Sequence, residues 1–281
     1  MTLPDGPAGA AVPSDSAGRP FVGRRFDSSP WTGDDGTAPA AYTAALAAFR
    51  TGAVGPEAVV DALRGVRLLV PLLAEVGEVG ETAAGPASDD FRSHDRLPAA
   101  RGAGTGERGH HAELALVTVA GPDGRTVLPA FSSAAAMSAW NPDARPVPAP
   151  ARQVALGAAS DGTELVVIDP ATDRFGLRRS ALEALARDVP WTAPWSDPEV
   201  GRAIRLAVAD EPAVTTARVG TADPRASFDG AEVLVVIVLH ETLDQQQVAE
   251  LMARVQRRWT EDAVVRARVD SMVVRLEASF C

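Results

Sequence analysis

Two apolar, β-branched runs on either side of a four-residue turn constrain this chain more than any other feature. Leu114-Ala115-Leu116-Val117-Thr118-Val119 precedes Gly121-Pro122-Asp123-Gly124, and Thr126-Val127-Leu128-Pro129-Ala130-Phe131 follows it. Extended runs flanking Gly/Pro turn chemistry pair as a β-hairpin. Ser132 or Ser133 then serves as a helix N-cap, with Met137 and Trp140 on one face and Asn141-Pro142 as the stop. Pro146, Pro148 and Pro150 keep the next segment extended, and Pro150 suits the first turn of a helix through Val154 and Ala158. Asp161-Gly162 turns the chain into Glu164-Leu165-Val166-Val167-Ile168, a buried strand that Asp169-Pro170 breaks. Arg174-Phe175-Gly176-Leu177-Arg178 alternates charged and apolar groups as a half-buried strand does. Ser180 and Glu183 have the spacing of a capping box that opens a helix carrying Leu182, Leu185 and Ala186. Strands and helices in this order predict an α+β fold.

Ala115-Leu116-Val117-Thr118-Val119 with Leu128-Pro129-Ala130-Phe131-Ser132-Ser133, Trp140, Ala144-Arg145-Pro146-Val147-Pro148 and Glu164-Leu165-Val166-Val167-Ile168-Asp169-Pro170 together resemble the SseB N-terminal domain family, over roughly residues 40–190. The tail resembles the family's C-terminal domain more weakly. The resemblance implies a cytosolic α+β protein, tied by the family's name to serine or sulfur metabolism. It carries over no catalytic residue, because the matching segments contain no catalytic signature.

Upstream, residues 1–37 are rich in Gly, Pro, Ala, Ser and Asp and read as a disordered arm. Within it Phe21, Arg24, Arg25, Phe26 and Trp31 form either a partner-docking motif or an arm that folds back. Tyr42, Leu46 and Phe49 mark one helix, and Pro56 with Val59, Val60 and Leu63 a second. A strand over 66–73 is interrupted by Pro71, which predicts an edge or a bulge. Residues 77–110 are small, polar and aperiodic, as a mobile insertion would be. The expected organisation is an N-terminal domain over 38–188, a proline-stiffened linker over 189–197 and a smaller α+β domain over 198–281. Each domain is expected to hold a mainly antiparallel sheet against helices. In the second, Asp197 and Pro198 open a helix, and Thr242 with Gln245 has capping-box spacing before the stripe Val248, Leu251, Met252, Val255 and Trp259.

The 281 residues suffice for two cores. The 27 basic residues, all arginine, are outweighed by 37 acidic ones for a net charge of -10, which argues against nonspecific binding to nucleic acid or anionic membranes. Cys281 is the one cysteine, so neither an internal disulfide nor a cysteine-based metal cluster can form within a single chain. The first residues lack the basic start and apolar core of a secretory signal, and the longest strongly apolar run is too short to span a bilayer. A cytoplasmic location is the expectation.

No catalytic, cofactor-binding or metal-binding residue is assigned. Gly104-Thr105-Gly106-Glu107-Arg108-Gly109 spells G-x-G-x-x-G without the preceding strand and following helix that phosphate binding needs. His240-Glu241-Thr242-Leu243-Asp244 imitates a zinc-protease motif across a strand end, where the ligands cannot share a helix face. His110, His111 and Glu113 lack a third ligand, Ser132 and Ser133 lack a base, and Cys281 lacks basic neighbours. The candidates for ligand or partner contact are Asp169 and Asp173 with Arg174 and Arg178, a dense charge cluster at a strand end, and Trp140, Trp191 and Trp195 as a peptide groove. Each has a plainer reading, as a solvated turn with local ion pairs or as core and interface packing. The reading favoured is a non-catalytic protein-binding or adaptor module with a protein partner, homo-oligomerisation remaining open. The alternative is a metabolite-binding regulator or enzyme with its site around Asp169 and Asp173.

Overall fold

Tyr42 and Leu46 are buried by helix α1 (Ala40–Arg50), and Val59, Val60 and Leu63 by α2 (Pro56–Leu63), which has proline at its first position as predicted. A computed structural model of the chain describes residues 31, 33–73, 117–121, 124–160 and 162–279. Residues 1–30 and 32 of the expected arm over 1–37, the insertion over 77–110, His110, His111, Glu113 and Cys281 lie outside the described residues. The chain divides into two compact units, Met1–Asp35 and Gly36–Cys281. In the first, the Asp34 N–H donates to the Trp31 carbonyl at 3.0 Å. The segments expected as domains and linker from residue 38 onward all lie in the second.

After β1 (Arg67–Leu72) comes the expected hairpin, β2 (Val119–Ala120) antiparallel to β3 (Thr126–Ala130), with Gly124 at φ +78 in its turn. Ser133 caps α3 (Ala134–Trp140) by accepting from the Ala136 N–H at 3.1 Å. The proline-rich segment is strand β4 (Arg145–Pro150), antiparallel to β1 with Leu69 opposite Pro148 and Pro71 opposite Pro146. Leu69 exchanges backbone bonds of 2.8 and 2.9 Å with Phe131 on its other side. By alternation the prolines of both strands then sit where an N–H would point away from the shared ladder. Pro71 therefore costs no bond to β4.

Helix α4 (Ala151–Ser160) leads to β5 (Val166–Ile168), which is parallel to β3 and antiparallel to β6 (Phe175–Leu177). The sheet β2-β3-β5-β6 is thus mixed, and α3, β4 and α4 supply the long crossover a parallel pair requires. The expected half-buried strand over 174–178 is buried throughout β6, because a loop from the C-terminal half covers it. Helix α5 (Arg179–Arg187) starts from Arg178 with no side-chain cap, so the Ser180–Glu183 box does not form. The Ser180 hydroxyl instead accepts from Trp191 Nε1–H at 3.1 Å.

Asp197 accepts from the Glu199 N–H at 2.8 Å and opens α6 (Pro198–Val208), as the sequence predicts. Strands β7 (Val214–Thr221) and β8 (Val233–Leu239) are antiparallel. The capping box of α7 (Gln245–Glu261) is Asp244 with Gln247, two residues beyond the expected pair. Asp262 ends α7 and also caps α8 (Ala263–Arg268), a helix the periodicity does not reveal. Strand β9 (Met272–Ala278) returns parallel to β8, with α7 and α8 as the crossover. Each half has its own core. One joins α1, α2, α4 and α5 to the first sheet, and the other joins α6, α7 and α8 to β7, β8 and β9. No helix among the described residues is long and apolar enough to cross a membrane.

Candidate functional site

The strand end at Asp169 comes first, since the sequence places its charges there. Asp169 has φ 53, a left-handed conformation that Asp tolerates better than most residues. It is 6% exposed and points inward, accepting from the Ser132 N–H at 2.8 Å and the Ser132 hydroxyl at 2.6 Å. Burial pushes its carboxyl above the usual range, against those two bonds and with help from the charge of Asp173. Arg67, also buried, donates to the Ser132 carbonyl. Asp173 takes Arg50 Nε–H at 2.7 Å, and the same guanidinium donates to the carbonyls of Arg174 and Arg225. Arg174 itself reaches Asp229 at 3.2 Å. Tyr42 lies within electrostatic range of Asp169, Asp173 and Arg50, and burial foremost pushes its phenol well above the ordinary value. Its hydroxyl is buried with no hydrogen-bond partner among the described residues.

Arg178 does not join that group. It lies between β6 and α5, is 7% exposed, and points into the C-terminal half. There it forks between Asp223 and Asp270, 3.1 Å to each, and also donates to the Gly230 carbonyl at 2.6 Å and to the Ser271 hydroxyl at 3.3 Å. Asp270 takes a second guanidinium from Arg125 at 2.8 and 3.0 Å. Burial works to raise the Asp270 carboxyl, yet Arg125 and Arg178 hold it below the usual range. Arg179 donates to the carbonyls of Arg266, Ala267 and Val269 at the end of α8. Five arginines of the N-terminal half, Arg50, Arg125, Arg174, Arg178 and Arg179, thus bind acceptors of the C-terminal half.

The acceptor loop is held in an unusual shape. Asp223 receives the N–H groups of Ser227 at 3.0 Å and Phe228 at 2.8 Å, and Ala226 and Phe228 sit at φ 48 and 63. For residues bearing a Cβ such backbone costs energy and persists only where the surroundings fix it. Here Ala226 accepts from the Gly176 N–H, Arg178 stacks over the Phe228 ring at 4.9 Å, and Phe228 enters a small core with Val127, Leu165 and Val167. Gly176 is required beneath it, since a Cβ there would lie 2.6 Å from the ring.

At this joint lies a cleft of about 20 Å³, space for a water or two, lined among others by Phe175, Arg178, Trp191, Trp195, Asp223 and Glu232. Trp191 packs on the first core and Trp195 on the second, edge to face with ring centres 6.4 Å apart. Trp140 is elsewhere, in a separate core against Phe131 at 5.3 Å. Glu232 sits at the start of β8, 2% exposed, and accepts from the Asp270 N–H at 2.7 Å. Burial pushes its carboxyl up to about 7, against that bond and the charges of Arg178 and Arg179. The residues before β8 offered no signal beyond a charged residue heading an apolar run, so Glu232, Asp223 and Asp270 went unmarked in the sequence.

Among the described residues no three His, Cys, Asp or Glu side chains converge to hold a metal ion. His240 meets the Pro212 carbonyl through Nε2 at 2.6 Å. A family model described as the SseB protein N-terminal domain matches residues 43–184, from within α1 to within α5. The chain belongs to the SseB family. No curated protein and no solved structure matches it. The SseB segment contains Asp169, Asp173 and all five bridging arginines, whereas Trp191, Trp195 and the C-terminal acceptors of those arginines fall beyond it.

Proposed function

We propose that this SseB-family chain is a non-catalytic protein-binding module acting in the cytoplasm, with residues 198–281 as its SseB C-terminal domain and the Trp191–Trp195 cleft as its recognition surface. One observation carries the reading: the conspicuous charges are committed within the chain. Asp169 is taken up by Ser132, Asp173 by Arg50, and four of the five N–H donors of Arg178 by acceptors across the joint. What faces outward at the joint is a pair of half-buried tryptophans. Such side chains, apolar with one polar handle, anchor protein interfaces more often than other residues do. The link to serine or sulfur metabolism rests on the family's name.

A second reading has its own support in Glu232. A carboxyl near neutrality at the foot of an aromatic cleft is the kind of group that exchanges a proton with a small ligand. A metabolite-binding regulator would then have its site at Glu232, not at Asp169 and Asp173. Quantitative affinity purification from the native host with the wild-type chain and with Trp191→Ala/Trp195→Ala is expected to lose at least one partner in the variant. An unchanged partner set overturns the binding-module reading. Calorimetric titration with serine and cysteine tests the second: heat that disappears in Glu232→Gln would establish it.

A further inference from the structure

Most of the other strand edges described in this fold carry a feature that hinders further pairing. Strand β2 is two residues long, and β6 is occupied where Gly176 donates to Ala226. Strand β4 carries Pro146, Pro148 and Pro150 at its outward positions, so its free side offers no N–H there. Strand β7 carries an irregularity between Val214 and Thr216 at its start and pairs regularly with β8 from Thr216 to Thr221. Short strands, prolines and bulges are the usual protections of an edge. Strand β9 has none of them: seven residues, no proline, unbroken register with β8, and last in its sheet.

The ladder fixes which backbone groups of β9 have no partner strand among the described residues. The Val233 N–H donates to the Ser271 carbonyl, and the Ser279 N–H to the Leu239 carbonyl. Alternation in a parallel pair then directs Val273, Arg275 and Glu277 toward β8, and Met272, Val274, Leu276 and Ala278 outward. The outward set also carries the side chains that face the helices, and Met272, Val274 and Leu276 remain only partly buried against that core. On the opposite face Arg275 is exposed and has no partner among the described residues, while Glu277 is held by Arg218 of its own sheet.

We propose that β9 is a homodimer interface, in which two copies of this chain pair their β9 edges antiparallel about a twofold axis at Leu276. One register satisfies every constraint. Leu276 opposite Leu276 and Val274 opposite Ala278 are hydrogen-bonded pairs, since these residues have outward backbone groups. They extend the half-buried apolar row from one copy into the next. Between them fall Arg275 opposite Glu277, twice by symmetry, in the non-hydrogen-bonded positions where side chains approach most closely. Centring the pairing one residue earlier, at Arg275, would set two arginines face to face. The charges on this edge therefore select the second copy and its register, and the result is a continuous six-stranded sheet.

Sedimentation of the full chain tests this directly. The wild type is expected at twice its 29.2 kDa mass, dissociating on dilution. Arg275→Glu puts like charges across the axis and should weaken the dimer at least about tenfold, whereas Arg275→Glu/Glu277→Arg restores the pairing to within about threefold of wild type. Val274→Pro removes an outward N–H without touching the bonds to β8 and should abolish dimerisation while leaving the circular dichroism spectrum unchanged. A monomer at every concentration up to about 100 µM overturns the proposal, since an interface of this kind should populate a dimer in that range. A dimer indifferent to Arg275→Glu, or one that the double swap fails to restore, also overturns it.

Discussion

The two acidic clusters of this chain are built from the same residue types and solve opposite problems. At Asp169 a buried carboxylate is satisfied within the N-terminal half, by the amide and hydroxyl of Ser132 thirty-seven positions earlier. At Arg178 a buried cation is satisfied only by the other half, through Asp223 and Asp270. The first cluster pins a strand end; the second holds two sheets in one arrangement. Burial raises both Asp169 and Glu232, but it is Glu232 that lines the cleft at the joint. An unusual charge environment is thus common to both, and position relative to open space separates scaffold from candidate site.

The sharpest way to break this comparison is Arg178→Ala, which leaves the buried Asp223 without its cation and leaves Asp270 to Arg125 alone. It should cost about 3 to 5 kcal/mol in urea denaturation, as removal of one member of a buried ion pair does. A cost below about 1 kcal/mol would mean that the bridge does not hold the halves together. Glu232 gives the next effect. Its folded value of about 7 exceeds its ordinary 4.5, so the folded protein binds this proton more tightly than the unfolded chain does. The contribution is complete below about 4.5 and lost as pH rises through 7, so stability at pH 8 should be lower by about 3 kcal/mol on this account. Glu232→Gln should remove that slope, and an identical pH dependence in the variant would refute the assignment.

Smaller changes sharpen the contrast. Ser132→Ala deletes a charge-assisted bond inside the sealed cluster and should cost about 2 kcal/mol, with the joint unaffected. A near-neutral result would show that Asp169 does not depend on Ser132. Gly176→Ala crowds the Phe228 ring and should cost about 1 to 2 kcal/mol, with a smaller loss in the Phe228→Ala background because the obstacle is gone. Equal losses in both backgrounds would place the strain elsewhere.

Much of the local structure was legible because it depends on near neighbours in sequence. The turn around Gly124, the cap at Ser133, the Asp197–Pro198 helix start and the apolar runs of β5 and β8 all form where their residue types predict. Misplacements occurred where two neighbours compete: Asp244 outdoes Thr242 as a cap, and Ser180 gives its hydroxyl to a tryptophan eleven positions away. Of the site, Asp169 and Arg178 stood out as charges beside strands. Sequence proximity made them one cluster, yet their side chains leave the backbone in different directions.

The sequence by itself determined the α+β class, the element types, the family and the charges at the end of β5, since periodicity, capping and turn chemistry act over a few residues. Only the tertiary structure decided that β3 and β5, and β8 and β9, run parallel, that Phe228 closes the core over Gly176, and that Glu232 meets Arg178 and two tryptophans at one cleft. Those outcomes rest on contacts between residues tens of positions apart. Burial, which sets the proton affinity of Glu232, exists only once the two sheets have come together.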